Sequence, residues 1–447
     1  MYIQKVSIRN IRSIEHFEMS FEAVPAGWHV IIGDNGTGKS SIVRAIALAL
    51  IGPRDAQALR LPLINWIKKG TEHAIVSLTV LKDGYFDGYE RRKPPLKRAV
   101  LSNGALEPKR YEGREPPLKR PFDATIKITK EQSSGFDIGR IDRDGKNGID
   151  PYKYIWSGKD GWFSTSFGPF RRFTGGDKEW SKVYYSNPSA AAHLSVFGED
   201  VALTESLEWL SQMKFQSLEY DSDALGILDG LKRFINEGDL LPHNTQLIDV
   251  SSSGVLFKDG NGNDVDVTQL SDGFRSLLSL IFELIRQLIK TYGYGNVFNN
   301  ITIGKMSIDV PGVVLIDEID AHLHPTWQTR IGQWFTKYFP NIQFIVTTHS
   351  PLVCRACEKG SIWRLAAPNS SQESGEITGT NKQRLIFGNI LDAYGTDVFG
   401  KDVTISKESD AKLNRLTELN KRSFDGDTSQ EEEKELVGLK SFLTPVL

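Results

Sequence analysis

Apolar and polar residues alternate through the first 23 positions, where Ile3, Val6, Ile8 and Ile11 are followed by Phe17, Met19 and Phe21. A period of two predicts two half-buried strands. They feed Trp28-His29-Val30-Ile31-Ile32, a short apolar run that predicts a buried strand. Between Ser40 and Leu50 the pattern becomes that of a helix, ended by Gly52-Pro53. Alternation returns over 74–80 as one more strand. Helical periodicity runs from about 188 to 236, through Leu203, Leu207 and Leu210 and then Ile227, Leu231 and Phe234. Residues 246–268 read as a hairpin turning at Asp259-Gly260-Asn261-Gly262. A long apolar helix, Leu277 to Leu288, is opened by Leu270-Ser271-Asp272-Gly273-Phe274-Arg275-Ser276, with Ser271 as its N-cap. Val313-Val314-Leu315-Ile316 has the unbroken apolar character of a parallel strand covered on both faces. Asn341 to Ser350 is a second such strand with a polar end, and 366–447 is short and mostly helical. The chain therefore reads as α/β, with no sustained heptad repeat.

Three strand ends carry chemistry. The first is followed by Gly33-Asp34-Asn35-Gly36-Thr37-Gly38-Lys39-Ser40, which matches G-x-x-x-x-G-K-[ST] in its required strand–loop–helix setting. In such a P-loop the backbone amides of Asn35, Gly36, Thr37, Gly38, Lys39, Ser40 and Ser41 wrap the phosphates of a nucleoside triphosphate at a helix N-terminus. Lys39 reaches the β- and γ-phosphates, and the Ser40 hydroxyl binds Mg²⁺. The second strand ends in Asp317-Glu318, where Asp317 is placed to hold Mg²⁺ and Glu318 to orient and deprotonate the attacking water. The third ends in Thr347-Thr348-His349-Ser350. His349 is suited either to a γ-phosphate or to a neighbouring backbone group.

Composition narrows the partners. At 447 residues the chain is long enough for two or three lobes. A formal charge of −2 gives no global sign of nucleic-acid binding. Residues 91–120 are locally basic, with ten Lys/Arg against three Glu and the echo Arg92-Lys93-Pro94-Pro95-Leu96-Lys97-Arg98 and Arg114-Glu115-Pro116-Pro117-Leu118-Lys119-Arg120. That segment is either a phosphate-contacting or partner-docking surface or a solvated edge. Two cysteines exclude a disulfide framework, and Cys354-Arg355-Ala356-Cys357 lacks the second pair a zinc site needs. No apolar run reaches the roughly 18 residues of a membrane span, and the N-terminus lacks a signal-peptide core, so a cytoplasmic enzyme is expected.

Asn10-Ile11-Arg12, the P-loop, Leu270–Ser276, Asp317-Glu318, Asp320 and His349 occur in the order of the ABC-type ATPase heads of the SMC, RecF and OLD group, which the chain resembles from residue 1 to about 365. The resemblance implies a mixed-sheet head flanked by helices, with lobes at 1–90 and 246–365, an inserted helical and irregular lobe at 91–245, and a helical extension at 366–447. It further implies that two heads sandwich two nucleotides, Ser271 and Gly273 of one touching the γ-phosphate held by Lys39 of the other. Asp320 would act across that interface, His349 would sense the γ-phosphate, and Arg12 would contact nucleotide. The signature reads Leu-Ser-Asp-Gly where the wider group has Leu-Ser-Gly-Gly, and 291–311 reads as an insertion. Gln57 and Gln132 are the candidates for the glutamine such heads place between their lobes.

The wording Ile316-Asp317-Glu318-Ile319-Asp320-Ala321-His322-Leu323-His324-Pro325 is most similar to the compact ATPases of bacterial anti-phage systems, such as AriA of PARIS and PtuA of Septu. This likeness implies a homo-oligomeric ATP-dependent sensor and scaffold beside a separate nuclease effector, responding to a phage trigger. An SMC- or RecF-like DNA-binding repair ATPase is the alternative. His322 and His324 are expected to shape the head interface. Asp425-Gly426-Asp427 is expected to be a turn rather than part of a nuclease centre.

Overall fold

The central sheet follows from the three apolar runs. Its order is β14-β13-β3-β12-β11-β7, comprising Gly375–Glu376, Ile362–Arg364, Gly27–Ile32, Ile342–Thr348, Gly312–Ile316 and Ser164–Phe167. All neighbours are parallel except β14. Every residue of β3, β11 and β12 is buried, as a parallel sheet covered on both faces requires. The parallel register brings the loops after β3, β11 and β12 to one edge, and these are the loops that carry the three motifs.

In this computed structural model the described residues are 1–21, 25–87, 121–130, 137–140, 149–157, 161–171, 187–198, 204–251, 254–302, 304–367, 373–389, 393, 407–424 and 426–443. The basic segment 91–120, Gln132 and Asp425 lie outside them.

A second, antiparallel sheet runs β2-β1-β4-β5-β6, formed by Ile14–Ser20, Tyr2–Ile11, His73–Leu81, Phe122–Thr129 and Asp137–Arg140. The first two strands thus lead into β3 but lie in a separate sheet from it. The helix Lys39–Ile51 lies between the two sheets. Ile42, Val43, Ile46 and Leu50 pack with Val6 and Ile8, Val76 and Leu78, and with Ile31, Leu315 and Ile345 of the central sheet. The alternate residues Val30, Ile32, Val314, Ile316, Phe344 and Val346 face the opposite core, which holds the long helix Asp272–Tyr292 and the helix Pro325–Tyr338. One buried amide ties the sheets together: Gln343 Nε2 donates to Ile3 O (2.9 Å), and Gln343 Oε1 accepts from Ile3 N (2.8 Å).

β5, β6 and β7 all come from the 91–245 span, so it contributes strands to both sheets rather than standing wholly outside the head. Its helices Thr204–Leu218 and Ser222–Glu237 pack on one another as a short hairpin. The expected hairpin at 246–268 is a three-stranded meander of β8 (Gln246–Ser251), β9 (Gly254–Lys258) and β10 (Asp264–Asp266), with the Asp259–Gly262 turn joining the last two. Beyond 366, β14 belongs to the central sheet, while Lys407–Phe424 and Gln430–Leu443 pack through Leu419, Leu436 and Leu439. Among the described residues no helix is long and apolar enough to cross a membrane.

Candidate nucleotide-binding and hydrolysis site

The P-loop leaves β3 and turns into its helix at Gly38, whose φ of 104° suits only glycine without strain. A side chain there would also press on Ile14, 3.2 Å away. No side chain caps this helix and its first turn holds no acidic residue, so its amides and dipole are offered to an anion. Asn35 and Gly36 are exposed at the loop crest, Thr37, Lys39 and Ser41 are buried, and Ser40 is half-buried. The Thr37 hydroxyl donates to Asp34 O (2.9 Å) and holds the loop's shape. Lys39 Nζ donates to Gly33 O (2.7 Å) and Asp34 O (2.9 Å) and lies 3.5 Å from His349 Nδ1. Burial pushes its ammonium below the ordinary lysine range, and the carboxylates of Glu318, Asp317, Asp320 and Asp34 oppose that shift.

The acidic turn is held by a residue the strand pattern flagged only as polar. Thr347 Oγ1 donates to Asp317 Oδ1 (2.6 Å) and accepts from Glu318 N (2.8 Å). Glu318 occupies the left-handed region at φ 49°, which is uncommon for a non-glycine residue. Asp317 is 1% exposed, and its Oδ2 has no hydrogen-bond partner among the described residues; neither does the buried Oδ1 of Asp320. A buried carboxylate oxygen without a partner is costly unless a cation takes it. Asp317 Oδ2 and the Ser40 hydroxyl are hard oxygen donors that fit Mg²⁺, which takes few protein ligands and completes its shell with phosphate and water.

Arg12 sits in the β1–β2 turn with its guanidinium 5.1 Å from the centre of the Trp66 ring. The neighbouring Ser13 and Ile14 adjoin Gly38. Gln57 is exposed on the helix Pro53–Ala58, beyond the far end of the P-loop helix, about 20 Å of helix away. Cys354 and Cys357 are buried and free, and burial pushes both thiols up, away from the thiolate that metal or redox chemistry requires. His324 caps the helix Pro325–Tyr338, and His322 is exposed at φ 64°.

Ser271 stands at the N-cap position of Asp272–Tyr292, but its side chain makes no cap hydrogen bond. Ser271 and Asp272 are exposed, and Asp272 pairs with Arg275. Gly273 packs against the acidic turn's own continuation: a Cβ on it would lie 2.7 Å from His322 O. The helix start carrying the signature is thus in contact with the loop that follows Asp320.

Sequence reasoning passed over Arg171. It leaves β7 in the stretch Gly168-Pro169-Phe170-Arg171 and is 5% exposed, and its guanidinium donates to carbonyls of the Asp317–Ile319 turn. Burial pushes its pKa down to about 10, against the pull of Asp317, Asp320 and Glu318. Its one sequence signal is an arginine two residues after a proline in an aromatic-rich stretch.

A P-loop and a paired-carboxylate turn at one edge of a parallel sheet, with an antiparallel sheet over the P-loop helix, define an ABC-type ATPase head. Residues 115–355 match the family described as "AAA domain, putative AbiEii toxin, Type IV TA system", and residues 5–99 match a second AAA domain family. The chain belongs to the first of these families. It is 25% identical over 365 residues to the Septu protein PtuA of Bacillus mycoides (strain KBAB4), covering 81% of this chain and 40% of that protein. It is 46% identical over 110 residues to the "Retron Ec83 probable ATPase" of Escherichia coli, covering 25% of this chain and 19% of that protein. The chain spans less than half the length of these curated relatives. An SMC head bound to the C-terminal winged-helix domain of ScpA is similar in structure at a TM-score of 0.47 and 16% identity, over 85% of this chain and 98% of that one.

Proposed function

We propose that this chain is the ATP-binding and ATP-hydrolysing sensor and scaffold of an anti-phage defence system. In this reading it assembles head to head around sandwiched nucleotides and controls a separate nuclease effector. The observation that carries the hydrolytic reading is Asp317, a buried carboxylate with one oxygen fixed by Thr347 and the other unpartnered among the described residues, on the same sheet edge as Lys39. The names of the Septu and retron relatives support the defence setting.

The triphosphate would enter on the amides of residues 35–41, and Lys39 would exchange the Gly33 and Asp34 carbonyls for β- and γ-phosphate oxygens. Ser40 and Asp317 would hold Mg²⁺, which would supply neutralisation of the phosphate charge. Glu318 takes the proton from the attacking water, with its backbone pinned by Thr347. His349 meets the γ-phosphate beside Lys39, and Ser271 and Gly273 of a second head close the site from the other side. Asp320 lies at that boundary, and Arg12 reaches the nucleotide from the β1–β2 turn.

The test is to purify the Glu318→Gln chain from its native operon with ATP and identify what copurifies. A stoichiometric nuclease-like protein, lost when Lys39 is also replaced, is the expected result. DNA with no protein partner would overturn the scaffold reading.

A further inference from the structure

Arg171 touches both halves of the proposed hydrolysis machinery. Its Nη1 donates to Gly168 O (2.9 Å) and Asp317 O (2.9 Å), and its Nη2 to Glu318 O (3.1 Å) and Ile319 O (3.5 Å). Its Nε donates to Ser276 Oγ (3.2 Å), just under one helical turn beyond the Ser271–Gly273 stretch. One planar group with fixed donor directions therefore sets the spacing between three elements: the end of β7, the acidic turn and the signature helix. The acidic turn carries Glu318 at φ 49°, a conformation that persists only where its surroundings impose it. Among the described residues no carboxylate lies within ion-pair distance of the guanidinium, so its donors go to backbone and hydroxyl acceptors. Asp317, Asp320 and Glu318 meanwhile offset its charge at longer range. The Gly273 contact with His322 O joins the same two elements a second time.

We propose that Arg171 is a positioning residue that locks the Glu318 turn to the signature helix of the same chain. Nucleotide bound in this chain's own P-loop would then govern how the chain presents Ser271 and Gly273 to a second head. The inference rests on the ATPase reading above. A lysine has the charge but not the planar fork, and it can satisfy only part of this acceptor set.

Ser276→Ala and Arg171→Lys test it in the full chain, by ATP affinity, kcat, thermal midpoint and hydrogen exchange over residues 271–277 and 317–324. In the parental protein MgATP should slow exchange in both segments. Ser276→Ala cuts only the link to the helix. It should weaken the response of 271–277, the Gly273 contact remaining, leave that of 317–324, and lower kcat about tenfold with ATP affinity within about threefold. Arg171→Lys should lower kcat about 100-fold, again with affinity nearly unchanged, and raise exchange of 317–324 without nucleotide. A merely structural role would lower affinity and thermal midpoint together. Both variants keeping kcat within about twofold of parental, or Ser276→Ala leaving both segments as responsive as in the parental protein, would overturn the proposal. Failure of the ATPase reading looks different: the parental chain then binds no ATP, or Glu318→Gln hydrolyses at the parental rate. In that case unchanged nucleotide-free exchange over 317–324 in Arg171→Lys still overturns the locking role, and faster exchange supports it.

Discussion

The P-loop edge and the signature start belong to one chain but are built in opposite ways. At the first, Lys39, Thr37, Asp317 and Thr347 are buried and hydrogen-bonded within the chain, and the unpartnered carboxylate oxygen of Asp317 suits a cation. At the second, Ser271 and Asp272 are exposed, and the Ser271 side chain does not cap its own helix. A residue placed at an N-cap without the bond that usually holds it there is free to serve another acceptor. The contrast is what the proposed head-to-head assembly requires: phosphate and cation ligands buried within one chain, and signature residues left exposed for a second head.

The sharpest way to break this contrast is at Glu318. Glu318→Gln should lower kcat by about 10²–10⁴ with ATP affinity retained, measured by phosphate release and by titration. A parental rate would remove Glu318 as the base. Lys39→Ala should weaken ATP binding about 100-fold, the expected loss of charge-assisted bonds to phosphate. Ser271→Arg should leave the affinity of a single chain within about threefold and abolish turnover. An equal mixture of Lys39→Ala and Ser271→Arg chains then sharpens the comparison. Each supplies what the other lacks, so random pairing should restore about a quarter of the parental rate. No recovery would mean the signature serves its own chain. Gly273→Ala should lower turnover about tenfold, since its methyl group must displace the His322 carbonyl.

The smallest expected effect concerns stability in acid. Burial pushes His29 down to about 4 and His193 down to about 3, so the folded state holds both neutral where the unfolded chain would protonate them. Their contribution is fully present above the ordinary histidine value near 6.5 and is lost as pH falls toward the folded values. Between pH 6.5 and 5.5 each should cost about 1 kcal/mol, read by denaturant unfolding. His193→Gln should flatten that slope. An unchanged slope would mean that other groups carry it.

Much of the site was legible because its residues sit at the ends of continuous apolar runs, and such runs become the inner strands of a parallel sheet. Val313–Ile316 and Ile342–Val346 announce both the strands and the edge where chemistry collects. Strand β7 was not legible, because Ser164-Thr165-Ser166-Phe167 is short and polar and is buried only by what pairs and packs with it. The pairing of β1 with β4 was hidden for a similar reason, since alternation reveals a strand but not its neighbour. Arg171 left the faintest trace. Its acceptors in the acidic turn are backbone carbonyls 146 to 148 positions away, and a carbonyl looks the same behind every residue type.

Gln343 sets where this head can bend. Its side-chain amide does for Ile3 what a neighbouring strand would do, and both bonds lie in a dry interior where water cannot stand in for them. The two sheets that enclose the P-loop helix therefore cannot slide past one another without exposing a donor and an acceptor on each partner.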